Sequence, residues 1–204
     1  MKKTFILFIS LVTLSNFAQN QILPIEERIG GEYQEGAYYK DLNNVFGPLE
    51  GTWAYINGGT TLRIKLRKII MDYDVFLSDV LIGEYQYIEN GVPLINTLSQ
   101  FNSNYPNQSG HNIFGKYFLE KEDKPICVLC AVGEKRVSLR VKDVPKQSVG
   151  SIYIRPIAVN GLPAMELQYY ATGLKSIPYN PSTGYSDELV GSTIRKGIYI
   201  LMKE

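Results

Sequence analysis

Alternation of apolar and basic residues between Thr61 and Ile69 constrains the fold of this chain more than any other feature of its sequence. From Leu62 to Arg67, aliphatic residues take every second position and Arg or Lys takes the positions between them. Successive side chains of a β-strand point to opposite faces, so this period predicts a strand with one dry and one wet face.

A second apolar segment, Trp53 to Asn57, leads into this strand through Gly58-Gly59. A two-residue turn at the glycines pairs Trp53 with Ile64 and Tyr55 with Leu62, which places the apolar side chains on one face. The sequence therefore predicts a β-hairpin.

The same turn chemistry recurs at Asn90-Gly91 and Asn160-Gly161, which supply the positive φ angles of a type I′ turn. These turns predict hairpins over Glu84 to Leu98 and over Ile152 to Thr172. The register expected for the first of these hairpins is Tyr85 opposite Asn96, Tyr87 opposite Leu94 and Ile88 opposite Pro93.

The rest of the chain after Thr52 also predicts strands. The further strands expected are Ile113 to Glu120, Ile126 to Val132, Arg136 to Lys142 and Leu189 to Met202, separated by turn-rich segments that include Ser176 to Asp187. The count is about nine or ten strands without a helix of three turns. We expect an all-β, antiparallel up-and-down meander that closes into a barrel or, alternatively, folds over as a β-sandwich, because open edges invite aggregation.

A resemblance to a known family rests on Gly51-Thr52-Trp53 at the head of the first long strand, preceded by the turn-like segment Asp41 to Gly47. This pattern resembles the entrance of lipocalins and fatty-acid-binding proteins. The resemblance implies a barrel closed at one end by a short helix, across which the Trp packs. It also implies a C-terminal Arg stacked on that Trp, for which Arg195 is the candidate.

A wider resemblance covers Tyr38 to Asn44, Gly51 to Trp53 and Gly83 to Tyr85. These stretches are similar to small secreted proteins of unknown function from the Bacteroidetes. That resemblance implies no activity.

The N-terminus has the composition of a cleavable signal peptide over residues 1–18, with Lys2 and Lys3 before an apolar run too short to span a bilayer. We expect residues 19–50 to form an N-terminal extension with the barrel-closing turn, and 51–204 to form the barrel domain. The protein would then be periplasmic or secreted, without a membrane span. Because 21 basic and 20 acidic residues nearly balance, we expect no nucleic-acid partner.

Three groups of residues have types used in catalysis or metal binding. Cys127 and Cys130 have the spacing of a redox motif, but in the predicted strand they face opposite ways, which favours two small buried residues. His111 lies in the polar segment Ser99 to Asn112, which predicts a solvated loop. The acidic cluster Asp72, Asp74 and Asp79 lacks calcium-loop spacing. We therefore expect no catalytic group, cofactor or metal.

Two functions fit these observations. The first is a non-enzymatic, lipocalin-like protein that holds a small apolar or amphipathic ligand; the residues expected to line its site are Trp53, Tyr55, Leu62, Ile64, Tyr85 and Tyr87. The alternative is an envelope interaction or structural module with a solidly packed barrel, whose Tyr- and Asn-rich outer surface meets a protein or glycan through the loops Ser99 to Asn112 and Ser176 to Asp187. A hydrolase is the third option. A large interior cavity would favour the first function, and a filled interior the second.

Overall fold

The computed structural model describes residues 21–27, 33–171, 174–182 and 185–204. The predicted signal peptide, residues 1–18, lies outside the described residues. The described chain is all-β, as the alternation predicts, with thirteen strands and four short 3-10 helices.

Eight antiparallel strands form a closed barrel, so the barrel expectation is confirmed and the sandwich alternative is not adopted. The barrel strands are β3 (Gly51–Asn57), β4 (Thr60–Tyr73), β5 (Leu77–Glu89), β7 (Ile113–Leu119), β8 (Arg136–Asp143), β9 (Ser148–Val159), β10 (Leu162–Ala171) and β13 (Gly197–Lys203). Their order is β5-β4-β3-β13-β10-β9-β8-β7, and β7 pairs back onto β5 to close the barrel.

The remaining strands lie outside the barrel. They are β1 (Ile22–Pro24), β2 (Tyr38–Lys40), β6 (Val92–Asn96), β11 (Leu174–Asn180) and β12 (Tyr185–Leu189). β2 pairs with the start of β5, β6 pairs with its end, and β11 and β12 form a separate hairpin. The 3-10 helices are Ile25–Glu27, Gly47–Leu49, Leu98–Asn102 and Gln108–Gly110.

The barrel interior is filled by side chains. The alternation predicted for β4 holds, since Leu62, Ile64 and Leu66 are each 2 % exposed and face inward. They join one apolar cluster with residues from all eight barrel strands. The core of this protein is therefore the inside of the barrel.

The barrel end at which β3 begins is closed as the lipocalin resemblance implies. The 3-10 helix Gly47–Leu49 lies there, and Phe46 and Leu49 are completely buried. The Asp41 carboxylate accepts hydrogen bonds from the amides of Val45 (2.7 Å) and Phe46 (3.1 Å), which holds the closing segment in place. Trp53 is 1 % exposed and pairs with Ile64, as expected.

A different residue takes the place expected for Arg195. The Lys203 ammonium lies 5.2 Å from the centre of the Trp53 ring, whereas Arg195 forms an ion pair with Glu89 at the other end of the barrel. The assignment of Arg195 to Trp53 is therefore wrong. The strand order explains the outcome, because β13 runs antiparallel to β3 and brings Lys203 opposite Trp53.

The Asn90-Gly91 hairpin differs from the expected register beyond its turn. Ile88 pairs with Pro93 as predicted, but a bulge then sets Tyr87 opposite Ile95 and Gln86 opposite Asn96. The bulge leaves Leu94 39 % exposed and buries Ile95 at 4 % exposure. By skipping one position, the bulge places Ile95 instead of Leu94 against the core.

Three predicted segments differ from the structure. Residues 126–132, expected to be a strand, form irregular turns, and the expected strand Leu189 to Met202 begins only at Gly197. The segment Ser176 to Asp187, expected to be a loop, contributes to the β11–β12 hairpin.

Candidate functional site

The outer wall of β7 to β10 presents tyrosines separated by small polar residues. Inward neighbours fix the orientation: Ser138 lies between Val137 and Leu139, and each of these two is 1 % exposed. By the same alternation Tyr153, Gln168 and Tyr170 point outward. We call this wall the tyrosine face; its members are Tyr117, Ser138, Arg140, Ser151, Tyr153, Gln168 and Tyr170.

Cross-strand pairing aligns these residues in two rows. The first row runs Tyr117, Ser138, Tyr153 and Gln168 across four neighbouring strands. The second row runs Arg140, Ser151 and Tyr170. Paired residues on one face are neighbours, so each small Ser side chain leaves a depression beside a Tyr ring.

A bulge in β7 turns Tyr117 toward the face. The pairing with β8 shifts between Phe114 and Tyr117, and Tyr117 is 49 % exposed. Gly115 sits inside this bulge, where an added Cβ would lie 2.6 Å from the carbonyl oxygen of Ser138. The close approach of the two strands therefore requires glycine, and it accounts for the position of the bulge.

Two cavities border the tyrosine face. One has a volume of about 420 Å³ and lies between Tyr153, Tyr170 and the segment 124–126. The other has a volume of about 300 Å³ and includes Tyr117, Ser138, Ser151, Arg140 and Asp74 in its lining. Both volumes fall in the range of ligand sites, whose walls combine aromatic and aliphatic surface with a few polar groups.

The charged groups around the tyrosine face are mostly cationic. Lys124 lines the larger cavity, and the ammonium of Lys196 lies 5.3 Å from the centre of the Tyr170 ring. Arg140 donates a hydrogen bond to the carbonyl of Ser109 at 2.8 Å, which holds its guanidinium at the edge of the smaller cavity. The carboxylate there, Asp74, lies 3.7 Å from the Lys116 ammonium. The face therefore favours a ligand with negative charge.

The six residues expected to line a ligand site are together inside the barrel. Five of them are at most 2 % exposed; these five are Trp53, Leu62, Ile64, Tyr85 and Tyr87. Tyr55 is half-buried and meets Tyr199 edge to face, with ring centres 5.0 Å apart. All six pack within or against the apolar core cluster.

Burial raises the pKa of Tyr85 and of Tyr87 above the ordinary value for tyrosine. The Tyr85 hydroxyl donates a hydrogen bond to the carbonyl of Lys142 at 2.6 Å. These two tyrosines therefore remain neutral and act as core residues with a polar end.

His111 is completely buried, so the expectation that it lies in a solvated loop is wrong. Its Nδ1 lies 2.9 Å from Glu84 Oε1, and the side-chain amide of Asn112 donates to Glu84 Oε2 at 2.7 Å. Glu84 points outward from β5, so the polar segment Ser99 to Asn112 folds over it to satisfy its carboxylate. His111 lines neither cavity of the tyrosine face.

Cys127 and Cys130 are buried, as expected, but they form a disulfide, which corrects the expectation that they face opposite ways in a strand. The chain turns at this point instead of extending, so the two side chains face each other. The lysine-to-proline bond before the turn, Lys124-Pro125, is cis.

The acidic cluster does not converge. Asp79 is buried and accepts hydrogen bonds from the Tyr38 hydroxyl and from the amides of Asp41 and Met71. Asp72 and Asp74 remain partly exposed. Within the described part of the chain, no group of three or more His, Cys, Asp or Glu residues is arranged to hold a metal ion.

A family model covers residues 1–197, and its description reads "Family of unknown function (DUF6705)". The chain belongs to this family. No curated protein matches the chain, and no solved structure matches it either. DUF6705 membership thus supplies no activity, and the barrel and its tyrosine face are the basis for any proposal. No helix in the described ranges has the length and hydropathy needed to cross a bilayer.

The sequence of this DUF6705 chain predicts a tyrosine-rich outer surface, but it does not show that Tyr153 and Tyr170 lie together. Tyr117, Ser138, Arg140, Ser151 and Gln168 were missed as site residues. The signal in the sequence is that, on each strand, these residues stand next to apolar residues that face inward. Aligning these positions across strands required the register of β7 to β10, which the sequence does not display.

Proposed function

We propose that this protein is an exported, non-enzymatic binding module that holds an acidic saccharide chain against its tyrosine face. The observation that carries the proposal is the alignment of Tyr117 and Tyr153 in one cross-strand row with Ser138 between them. Strands lie about 4.8 Å apart, so the two rings stand about 10 Å apart along the row. That spacing presents successive aromatic platforms to an extended chain.

The chemistry of the face suits a sugar polymer. Aromatic rings offer flat apolar surface to the C–H faces of sugar rings, and Tyr does so at low cost in side-chain entropy. Ser138, Ser151 and Gln168 supply hydroxyl and amide groups between the rings. Lys124 and Arg140 add cationic donors that suit carboxylates on the saccharide.

The interior ligand site expected from the lipocalin resemblance has less support. Its six residues pack against one another in the core cluster, and Trp53, Tyr85 and Tyr87 occupy the space that a ligand would need. A filled interior favours recognition on the outside of the barrel.

The proposal has two further parts: the protein is not an enzyme, and it is exported. His111 is buried against Glu84, away from the two cavities, so an acid or base at the tyrosine face would have to come from elsewhere. The composition of residues 1–18 supports export, and the Cys127–Cys130 disulfide suits an oxidising compartment.

Affinity electrophoresis of the purified protein in gels containing uronate-rich polysaccharides, with neutral polysaccharides in parallel, tests this function. We expect retardation in the uronate gels and a weaker effect in the neutral ones. Replacing Tyr153 by Ala should weaken binding about tenfold, because a central aromatic anchor contributes more than 1 kcal/mol.

The matched control is Tyr73→Ala, which removes a tyrosine that is 67 % exposed at the end of β4 and lines neither cavity of the tyrosine face. Binding should be unchanged in that variant. Absence of retardation by every polysaccharide, or equal losses in both variants, would contradict the proposal.

A further inference from the structure

Two uncharged, apolar chain segments project from the barrel end that the 3-10 helix Gly47–Leu49 closes. The first is residues 125–133, which link β7 to β8; the second is residues 156–163, the tip of the β9–β10 hairpin. Val137 pairs with Ile154, so the start of β8 and the end of β9 lie at the same end. β9 and β10 continue beyond the last pair with β8, so their tip protrudes.

The side chains at these tips are aliphatic and exposed. In the first segment Val128 is 81 %, Leu129 is 77 % and Val132 is 94 % exposed. In the second, Leu162 is 59 % exposed. The Cys127–Cys130 disulfide closes the first segment, so Val128 and Leu129 stand at the apex of a short turn. Exposed aliphatic side chains in this number on adjoining tips mark an interaction surface.

Charged residues bound both tips on the barrel side. Lys124 and Glu134 flank the first segment in the sequence, and Arg155 precedes the second. Arg155 donates to Glu134 at 2.8 Å and, through two bonds of 3.2 and 2.9 Å, to Glu166. This clamp ties the base of the first tip to the base of the second, and it sets a charged belt directly behind the apolar side chains.

The backbone of the tips suits an apolar environment. In the hairpin tip, Val159 pairs with Leu162 and Ala158 with Pro163, so the ladder continues to the turn. In the first tip, the amide of Cys127 donates to the carbonyl of Lys121, and the amide of Ala131 donates to Glu134. Paired backbone groups lower the cost of leaving water.

We propose that these two tips insert into the surface of a lipid bilayer and anchor the protein there peripherally. The tips are convex and carry no charge, whereas a groove or a flat apolar face would favour a helix or another protein surface. The belt behind them carries both signs, which matches zwitterionic headgroups. Insertion then depends on apolar area, so it persists at high salt.

Co-sedimentation of the purified chain with vesicles of phosphatidylcholine, and separately of phosphatidylethanolamine with phosphatidylglycerol, tests this inference. We expect binding to both compositions, little changed by raised salt. The double variant Val128→Ser, Leu129→Ser and the single variant Leu162→Ser should each bind more weakly, the double variant by about tenfold or more. None of these residues lines a cavity of the tyrosine face, so saccharide binding should be unaffected.

Ile56→Ser is the matched control. Ile56 is 68 % exposed and lies in the β3–β4 hairpin at the opposite end of the barrel, so its replacement should leave vesicle binding unchanged. Three outcomes would overturn the inference: absence of vesicle binding by the unaltered protein, equal loss in Ile56→Ser, or concentration-dependent dimerisation that the tip variants abolish without any vesicle binding. The oligomeric state is read from analytical ultracentrifugation of the same samples.

Discussion

At the scale of single residues, Trp53 joins the barrel to its closing segment. Its indole N–H donates to the carbonyl of Leu49 at 2.8 Å, its ring packs in the core, and Lys203 lies over the ring. These contacts come from the start of the first barrel strand, the 3-10 helix before it and the last strand. One side chain therefore connects the first and last parts of the barrel.

Replacing Trp53 by Ala should lower the free energy of unfolding by about 3–5 kcal/mol, the range for large aromatic residues in a core. Urea denaturation followed by far-UV circular dichroism measures the loss, because the variant has no tryptophan fluorescence.

Trp53→Phe is the control, since it keeps an aromatic ring but removes the donor to Leu49. It should cost about 1–2 kcal/mol. If Trp53→Ala retained its stability within about 0.5 kcal/mol, as a surface substitution does, the role of Trp53 in closing the barrel would be refuted.

The burial of Trp53 follows from the sequence, whereas its partner does not. Gly51-Thr52-Trp53 at the head of an alternating strand predicted an inward ring. The lipocalin resemblance implies Arg195 as the stacked cation, and only the order of strands around the barrel shows that Lys203 lies there instead. His111 shows the same limit: its neighbours are polar, and only the outward carboxylate of Glu84 explains its burial.

At the scale of elements, the connection between β7 and β8 is held in place by a disulfide and hydrogen bonds, although it is not a strand. Its apolar residues predict a strand, but the disulfide turns the chain back, and Arg136 donates to the carbonyls of Glu120 and Asp123 at 3.0 and 2.9 Å. Periodicity does not distinguish a buried strand from an exposed apolar turn of the same composition.

The Arg155 clamp fixes this connection to the barrel wall. The hydrogen bonds that Arg155 donates to Glu166 and Glu134 raise the pKa of Arg155, whereas burial acts to lower it. Burial is the largest single effect on Glu134 and acts to raise its pKa, but the hydrogen bonds from Arg155 and from the Ala131 amide, together with the positive charges of Arg155 and Arg136, lower the pKa overall. Arg155 and Glu134 therefore stabilise each other's charged form.

Replacing Arg155 by Met should lower the free energy of unfolding by about 2–4 kcal/mol, because two partly buried carboxylates lose their cation. Residues 120–135 should also become more accessible to limited proteolysis, since the clamp holds their end.

Arg63→Met provides the comparison. Arg63 makes a similar two-bond contact with Glu204, but both side chains are about one-third exposed, so we expect a change below about 1 kcal/mol. Equal changes in the two variants, with the proteolysis pattern unaltered, would argue against the clamp.

At the scale of the whole molecule, the sequence predicts the barrel better than the site. Strands and turns arise from local alternation and from Asn-Gly pairs, and the predicted pairing of Trp53 with Ile64 is confirmed. The tyrosine face depends on the β7 bulge and on the registers of three strand pairs. Each register error of one residue turns a strand over, so the rows follow only from the folded chain.

The folded chain also buries tyrosines whose ionisation opposes folding. Burial is the main cause that raises the pKa values of five of them above the ordinary value near 10. These are Tyr38, Tyr85, Tyr87, Tyr169 and Tyr199. All five are at most 6 % exposed. A tyrosinate in the core would be an unpaired buried charge, so these groups keep their protons as long as the barrel is intact.

This burial predicts steep destabilisation in alkali. Above about pH 10 the unfolded chain releases protons that the folded chain retains, so the free energy of unfolding falls with pH by about 1.4 kcal/mol per pH unit for each such tyrosine. The stability of the fold is constant with respect to these groups below that pH and is lost as pH rises toward their folded-state pKa values. Urea midpoints measured from neutral pH upward, together with the tyrosinate absorbance that appears on unfolding, report the slope.

Tyr85→Phe should reduce the slope by one proton, whereas the exposed Tyr73→Phe should leave it unchanged. A slope that is flat above pH 10, or identical in Tyr85→Phe, would show that these side chains already ionise within the folded barrel.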